Sequence, residues 1–317
     1  MNEFALIRKY FQRPPRRVRL GVGDDCALLT LVPGEELAIS TDMLVAGRHF
    51  FSDVGADALG WKSLAVNLSD LAAMGAAPRA FTLALALPAV DEAWLAAFSR
   101  GLFDCAERYD CELIGGDTTR GPLTISITVL GACPSGGAVR RSGARAGDDV
   151  WVSGTLGGAA FALSRLRDGR ATSRDAARDA LERPTPRVAL GIALRGIASA
   201  MIDLSDGLVG DLAPVLEASQ VGATLFVNQL PMPDVVAAEA EARRLAFALG
   251  GGDDYELCFT APASARAAAL AAGANANVAV TRIGAIDREI GLRFVDADGS
   301  SFRFQNGFAP KSFDHFA

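Results

Sequence analysis

Apolar runs in this chain repeatedly end in a carboxylate set among Gly, Ser or Thr. The instances are Gly23-Asp24-Asp25, Ser40-Thr41-Asp42, Asn67-Leu68-Ser69-Asp70, Gly115-Gly116-Asp117-Thr118 and Asp203-Leu204-Ser205-Asp206-Gly207. Runs such as Leu37-Ala38-Ile39 and Ala200-Met201-Ile202 read as buried strands that deliver these acids to one edge. Ionised carboxylates within a few ångströms of one another repel and partly protonate. A converging set is therefore sensible only around divalent cations or a metal-chelated phosphate ligand.

At 317 residues the chain suits two domains better than one core, since domains commonly run to about 100 to 200 residues. Half of the residues are hydrophobic and 21% charged, which predicts well-packed globular structure rather than disorder. The net charge of −6 argues against a nucleic-acid partner. The basic stretch 8–19 reads as a solvated N-terminal face, with steering of phosphates as its functional alternative. Asp24 and Asp25 interrupt the apolar stretch that begins at Leu20, so no signal-peptide core follows the basic residues. The longest strongly apolar run, 80–90, contains a proline and is shorter than the roughly 20 residues that span a bilayer. No membrane partner and a cytoplasmic location are the expectations. Five cysteines without a Cys-x-x-Cys pair suit reduced thiols used in packing.

Periodicity predicts a strand near 37–41, a helix across 57–74, a strand at 81–87 and a helix over 91–109. The stretch 123–129 alternates apolar and polar residues strictly and predicts a strand covered on one face. Between Cys133 and Asp149 the composition shifts to Pro, Gly, Ser and Arg, which places a domain boundary near 145 and gives domains 1–145 and 146–317. The second half opens with a strand over 150–155, then Gly157-Gly158 and an amphipathic helix. Free amides at that entry suit an anion, and a plain tight turn is the alternative. Pro184 and Pro186 precede a helix, and a strand at 201–204, a helix at 208–218 and a strand at 223–227 follow. The fold class is α/β, or α+β, in both halves.

Absences narrow the chemistry. The lysines are Lys9, Lys62 and Lys311, and none follows a glycine, so a P-loop and the protein-kinase scheme are excluded. With His49 and His315 as the only histidines, a His-rich zinc site cannot be built, and the metal should prefer oxygen. No Gly-x-Ser-x-Gly elbow exists. Carboxylate-held Mg²⁺ keeps waters and completes its shell with substrate phosphates, which makes nucleotide chemistry the leading reading. A phosphate acceptor is already anionic near neutral pH and needs no base, in keeping with the scarcity of candidate bases here; an aspartate acting as base stays open.

Taken in order, further blocks join these motifs. They are Glu3-Phe4, Gly21-Val22-Gly23-Asp24-Asp25-Cys26-Ala27, Ser40 through Phe50, Ala65 through Gly75, Ile114 through Gly121, Arg141-Ser142-Gly143, Ile202 through Leu208 and Gly251 through Leu257. Nearly the whole chain thereby resembles the thiamine-monophosphate kinases of the aminoimidazole-ribonucleotide-synthetase-like ATP-binding superfamily. The resemblance implies two α/β domains: an N-terminal mixed sheet that pairs across a homodimer into a barrel-like core, and a C-terminal α/β sandwich. It implies transfer of the γ-phosphoryl group of ATP to thiamine monophosphate, with several Mg²⁺ ions and no residue acting as general base. By motif position Asp25, Ser40, Thr41, Asp42, Asp70, Asp117, Asp203 and Asp206 would surround magnesium, and Gly116, Asp117, Arg141 and Ser205 would meet ATP. His49 and Asp253 would meet the substrate, and Phe308 or Phe313 would pack on its rings, with ordinary core packing as the alternative for these aromatics. Asp253 stands where the family often has Glu, and the aromatic tail is spaced differently. The alternatives are another ATP-using synthetase of the superfamily, of the aminoimidazole ribonucleotide, selenophosphate or hydrogenase-maturation type, and a non-enzymatic metal-binding or interaction module. Asn67 and Ser69 are read as caps or orienters, and Asp211 and Asp254 as structural or surface acids.

Overall fold

The structure is a computed structural model that describes residues 2–23, 25–169 and 176–304. Its strands are β1 (Glu35–Val45), β2 (Ala77–Leu87), β3 (Glu112–Arg120), β4 (Thr124–Pro134), β5 (Asp148–Ser153), β6 (Ala200–Asp203), β7 (Gly222–Phe226), β8 (Leu257–Pro262), β9 (Val280–Asp287) and β10 (Gly291–Val295). Its α-helices are α1 (Glu3–Tyr10), α2 (Ala56–Ala73), α3 (Glu92–Arg108), α4 (Gly158–Arg167), α5 (Ala176–Glu182), α6 (Val188–Ala193), α7 (Leu208–Ser219), α8 (Asp234–Ala237), α9 (Glu241–Gly250) and α10 (Arg266–Asn275). Two compact units result. The first comprises Met1–Leu71 and Ala76–Gly136, the second Ala72–Gly75 and the chain from Gly137 onward. No helix among the described residues is long and apolar enough to cross a membrane.

In the first unit four strands lie in the order β1-β4-β2-β3, antiparallel except for the parallel β2/β3 pair, which α3 connects. Strand β4 alternates because one of its faces is covered: Ile125, Ile127 and Val129 are buried, as are Leu83 and Leu85 beside them on β2. The opposite face carries Ile39 and Met43 at 61% and 55% exposure. Residues 58–69 of α2 are all buried, which makes it a central helix whose polar side chains must find partners inside. Helices α2 and α3 meet backbone to backbone, because a Cβ at Gly60 would overlap the Phe98 carbonyl oxygen and one at Gly101 the Asp57 carbonyl oxygen. Asp91 starts α3 by accepting the Ala93 and Trp94 amides at 2.9 and 3.0 Å.

The second unit has six strands in the order β10-β7-β9-β5-β8-β6. Every residue of β5 is buried, as expected of a central strand covered on both faces. Val150, Val152 and Ile202 share a core with Leu208, Leu212 and Val215 of α7 and Leu245 and Leu249 of α9. Asp149, also on β5, accepts Arg266 through both Nε (2.5 Å) and Nη2 (2.8 Å) and Arg282 through Nε (2.5 Å); these bonds hold its carboxyl below the usual carboxylate range.

The elements expected at 37–41, 57–74, 81–87, 91–109 and 123–129 all form, and most of the strands run longer than their periodic cores. Strand β3 was legible only as a motif, since Gly115, Gly116 and Asp117 are poor strand formers and pairing with β2 holds them extended. Four cysteines are buried, as a packing role requires, but Cys26 is exposed and does not serve in packing. Replacing Gly101 by Ala should force α3 off α2 and destabilise the fold by about 1–3 kcal/mol, read as a lower urea midpoint; an unchanged midpoint would contradict the close crossing.

Candidate functional site

Two residues of β1 and two of α2 build the acidic cluster of the first unit. Asn67 is 1% exposed and bridges the elements, accepting the Asp42 amide at 3.0 Å and donating from Nδ2 to the Ser63 carbonyl at 3.0 Å. One turn further along α2, Asp70 Oδ2 accepts the Ser40 hydroxyl at 2.5 Å. The i, i+3 pair on the helix thus meets the i, i+2 pair on the strand. The Asp42 carbonyl also accepts from Ser126 Oγ at 3.3 Å. Asn67 is an orienter; the hydroxyl of Ser69 is buried without a hydrogen-bond partner and is not.

Register separates the remaining acids. Asp42 lies in a row with Ile127, Leu83 and Gly116, whereas Asp117 lies in the next row with Ala84, Ser126 and Met43. Asp117 therefore occupies the opposite edge and the opposite face of the sheet from Asp42, three strand spacings or about 14 Å away. Thr41 shares the face of Asp117, and its hydroxyl is 2.8 Å from that of Thr128. Gly116 has φ +146, and a Cβ there would overlap the Leu83 backbone, so sheet packing alone demands a glycine. Asp25 is exposed on a loop closed by the Leu20–Leu28 bridge; upstream, the buried Glu112 carboxylate accepts the Arg16 and Arg17 amides at 2.7 and 2.9 Å. His49 Nδ1 accepts the Val45 amide at 3.0 Å, which places the neutral ring's proton on Nε2.

In the second unit two motif loops are laced together beyond the β6/β8 pairing, which ends at Asp203 and Leu257. The Leu204 amide donates to the Glu256 carbonyl (2.9 Å), Tyr255 to Leu204 (2.8 Å) and Asp253 to Ser205 (2.9 Å). A Cβ on Gly252 would lie 2.5 Å from the Ser205 carbonyl oxygen, so the close approach needs glycine. Ser205 and Asp206 are in this way carried to the same sheet end as Asp253. Asp253 and Tyr255 both have left-handed backbones, φ 67 and 48, and the Tyr255 hydroxyl donates to Asp253 Oδ1 at 2.9 Å. Arg141 is exposed; Ser219 Oγ steadies its segment by accepting the Gly143 and Ala144 amides, each at 3.1 Å.

Asp211 and Asp254 are not surface acids. Asp211, 8% exposed in the first turn of α7, accepts the Asp206 amide at 2.9 Å; burial pushes its carboxyl up to about 7 against that bond. Asp254 accepts the Gly157 amide at 2.8 Å, and burial, with the charges of Glu256 and Asp253 adding to it, raises its carboxyl well above the ordinary range. The Gly157 amide, at the turn expected to receive an anion, is thus occupied by the chain's own Asp254. Glu256 is buried behind them, accepting Arg187 through Nε at 2.7 Å and Nη2 at 2.5 Å, and the Ser153 hydroxyl at 2.5 Å. Sequence pattern had not singled out Arg187 and had given Glu256 no role beyond its place in the Gly251–Leu257 block; their pairing joins positions 69 residues apart.

Phe308, Phe313 and Asp24 lie outside the described residues. Among the described residues no group of three or more His, Cys, Asp or Glu side chains is placed to hold a metal ion. The donors that are present are hard oxygens in ones and twos. Such a set fits Mg²⁺, which retains waters and draws further ligands from phosphates, and does not fit a closed protein cage.

Family models for AIR synthase related protein match twice, the N-terminal domain over residues 23–133 and the C-terminal domain over 145–296. A thiamine-monophosphate kinase of Salmonella typhimurium is 48% identical, covering 100% of this chain and 98% of its own length. The crystal structure of a thiamine-monophosphate kinase from Stenotrophomonas maltophilia aligns with a TM-score of 0.85 at 43% identity, covering 94% of this chain and 96% of that one. A third relative, AaThiL complexed with AMPPCP and TMP, aligns with a TM-score of 0.77 at 29% identity over 98% of this chain and 94% of that one. In metal-free protein the Asp211 carboxyl, raised in the fold, binds its proton more tightly than in the unfolded chain, so its contribution to stability falls as pH rises from about 4 to about 7. Asp211→Asn should flatten that slope in denaturation measured across this range, and an unaltered slope would contradict the assignment.

Proposed function

The chain belongs to the thiamine-monophosphate kinase family, and we propose that it carries the γ-phosphoryl group of ATP directly onto the phosphate of thiamine monophosphate in a magnesium-assisted, in-line transfer. Its enzyme class, a phosphotransferase, follows from that membership. The observation that carries the reading of the site is the lacing of Leu204 and Ser205 to residues 253–256, which supports pairing the segment we assign to magnesium and ATP with the one we assign to substrate.

Asp25, Ser40, Thr41, Asp42, Asp70 and Asp117 in the first unit and Asp203 and Asp206 in the second are the oxygen ligands we assign to magnesium. Bound magnesium supplies charge neutralisation and polarisation at the phosphoryl oxygens. The chain does the rest by placement. Asn67 and Ser40 hold Asp42 and Asp70 at a fixed spacing. Gly116 and Ser205 offer backbone and hydroxyl contacts to ATP, and Arg141 adds a permanent cation for the phosphates. His49 presents its Nε2–H to the substrate phosphate, Asp253 balances the thiazolium charge, and we assign Phe308 or Phe313, which lie outside the described residues, to its rings. No side chain removes a proton, because the attacking phosphate oxygen is already anionic. Free thiols fit a cytoplasmic setting. Incubation with thiamine monophosphate, ATP and Mg²⁺ should yield thiamine diphosphate by mass detection and none when EDTA is added. Turnover of aminoimidazole precursors instead, or binding without turnover, would sink this reading.

We further assign a homodimer, formed through the sheet face that leaves Ile39 and Met43 exposed. Asp42 and Asp117 stand at opposite edges of that sheet, so a site that uses both takes Asp117 from the second copy. Asp42→Ala and Asp117→Ala chains should each lose at least about a hundredfold in turnover. Heterodimers of the two, isolated with different tags, should regain about half of the wild-type rate, since one of two sites is then intact. Heterodimers as inactive as their parents would mean that both acids serve one protomer.

A further inference from the structure

We propose that Tyr255 is a positioning residue for Asp253, and that this phenol–carboxylate pair sets the affinity for the cationic ring of thiamine monophosphate. The inference rests on the reading of Asp253 as the acid that faces substrate. Residues 253–256 alternate in their use. Asp254 turns to the amide that opens α4, and Glu256 turns to Arg187 and Ser153, so these two pin the loop from inside the unit. Asp253 and Tyr255 bond to each other instead, at 2.9 Å. Both adopt the left-handed backbone that L residues enter only at a cost, and main-chain bonds to Ser205 and Leu204 keep them there.

Two unfavourable conformations separated by one residue are retained where they accomplish something that a relaxed loop does not. Here they bring the Tyr255 hydroxyl onto the Asp253 carboxylate while the rest of Tyr255 stays buried, 8% exposed. The donor is neutral, so the bond restricts the torsional freedom of the carboxylate without adding a counter-charge. Asp, one methylene shorter than Glu, has less reach and must be aimed. Tyr255 acts on the substrate only through Asp253.

The test uses the full chain with Mg²⁺ and compares Tyr255→Phe, Asp253→Asn and the double variant, both substitutions preserving shape. Each is assayed for the KM of either substrate, for calorimetric binding of thiamine monophosphate, and for binding of a phosphate ester with a neutral ring in place of the thiazolium. Tyr255→Phe should raise the KM and Kd for thiamine monophosphate about tenfold, the scale of a hydrogen bond to a charged group. The KM for ATP should move less than about twofold, and the preference for the cationic over the neutral ring should shrink by the same factor as the affinity. The double variant should be no worse than Asp253→Asn, because the phenol then has no charge to aim. An unchanged thiamine monophosphate affinity in Tyr255→Phe, with Asp253→Asn impaired, overturns the inference and leaves the substrate role of Asp253 standing. Equal loss for both substrates, or a Tyr255→Phe chain that does not fold while Asp253→Asn retains its ring preference, also overturns it. Unaltered affinity in Asp253→Asn removes the reading beneath it.

Discussion

Like charges have to be stored in a folded chain before any counter-ion arrives, and the described structure is organised around that electrostatic problem. It is met by keeping the acids apart and giving them local partners. Asp70 is held by a hydroxyl, Asp42 is steadied through its own amide, and Asp211 and Asp254 each accept a backbone amide beside a helix N-terminus. The amides of Asp206 and Gly157, each just ahead of a helix, are thereby taken up by the chain's own carboxylates.

The lacing of the two motif loops in the second unit extends the same logic to geometry. Sheet pairing between β6 and β8 gives way to three further main-chain bonds without a break in contact, and Gly252 makes the approach possible. Behind it, Glu256 is buried but doubly bonded to Arg187, which is what an ion pair at that depth requires if it is not to cost stability. The loop that carries Asp253 is consequently pinned through Asp254 and Glu256 and strained at Asp253 and Tyr255.

Much of this was legible beforehand. The alternation at 123–129 and the apolar helical stretch at 57–74 marked the strand beside β1 and the helix of the first acidic cluster, because one-sided burial leaves a period of two in a strand whereas all-round burial leaves a helix apolar on every face. The individual acids were recognisable from their Gly and Ser surroundings. Their distribution was not: the face and edge that a strand residue occupies depend on strand order, and β1 and β3 become opposite edges only because β4 inserts between β1 and β2. The destinations of Asp211 and Asp254 were equally hidden, since a carboxylate five residues after Asp206, or one nearly a hundred residues after Gly157, looks like any surface acid until the fold places an amide before it.

Diffraction from crystals grown with Mn²⁺, AMPPCP and thiamine monophosphate would locate the cations by their anomalous signal. Ions about 2.1 Å from carboxylate oxygens of Asp42 or Asp70 in the first unit and of Asp203 or Asp206 in the second, each also bound to a phosphate oxygen, are the predicted result. Phosphates bound with no cation at these acids, or cations lodged elsewhere while the acids face water, would contradict it.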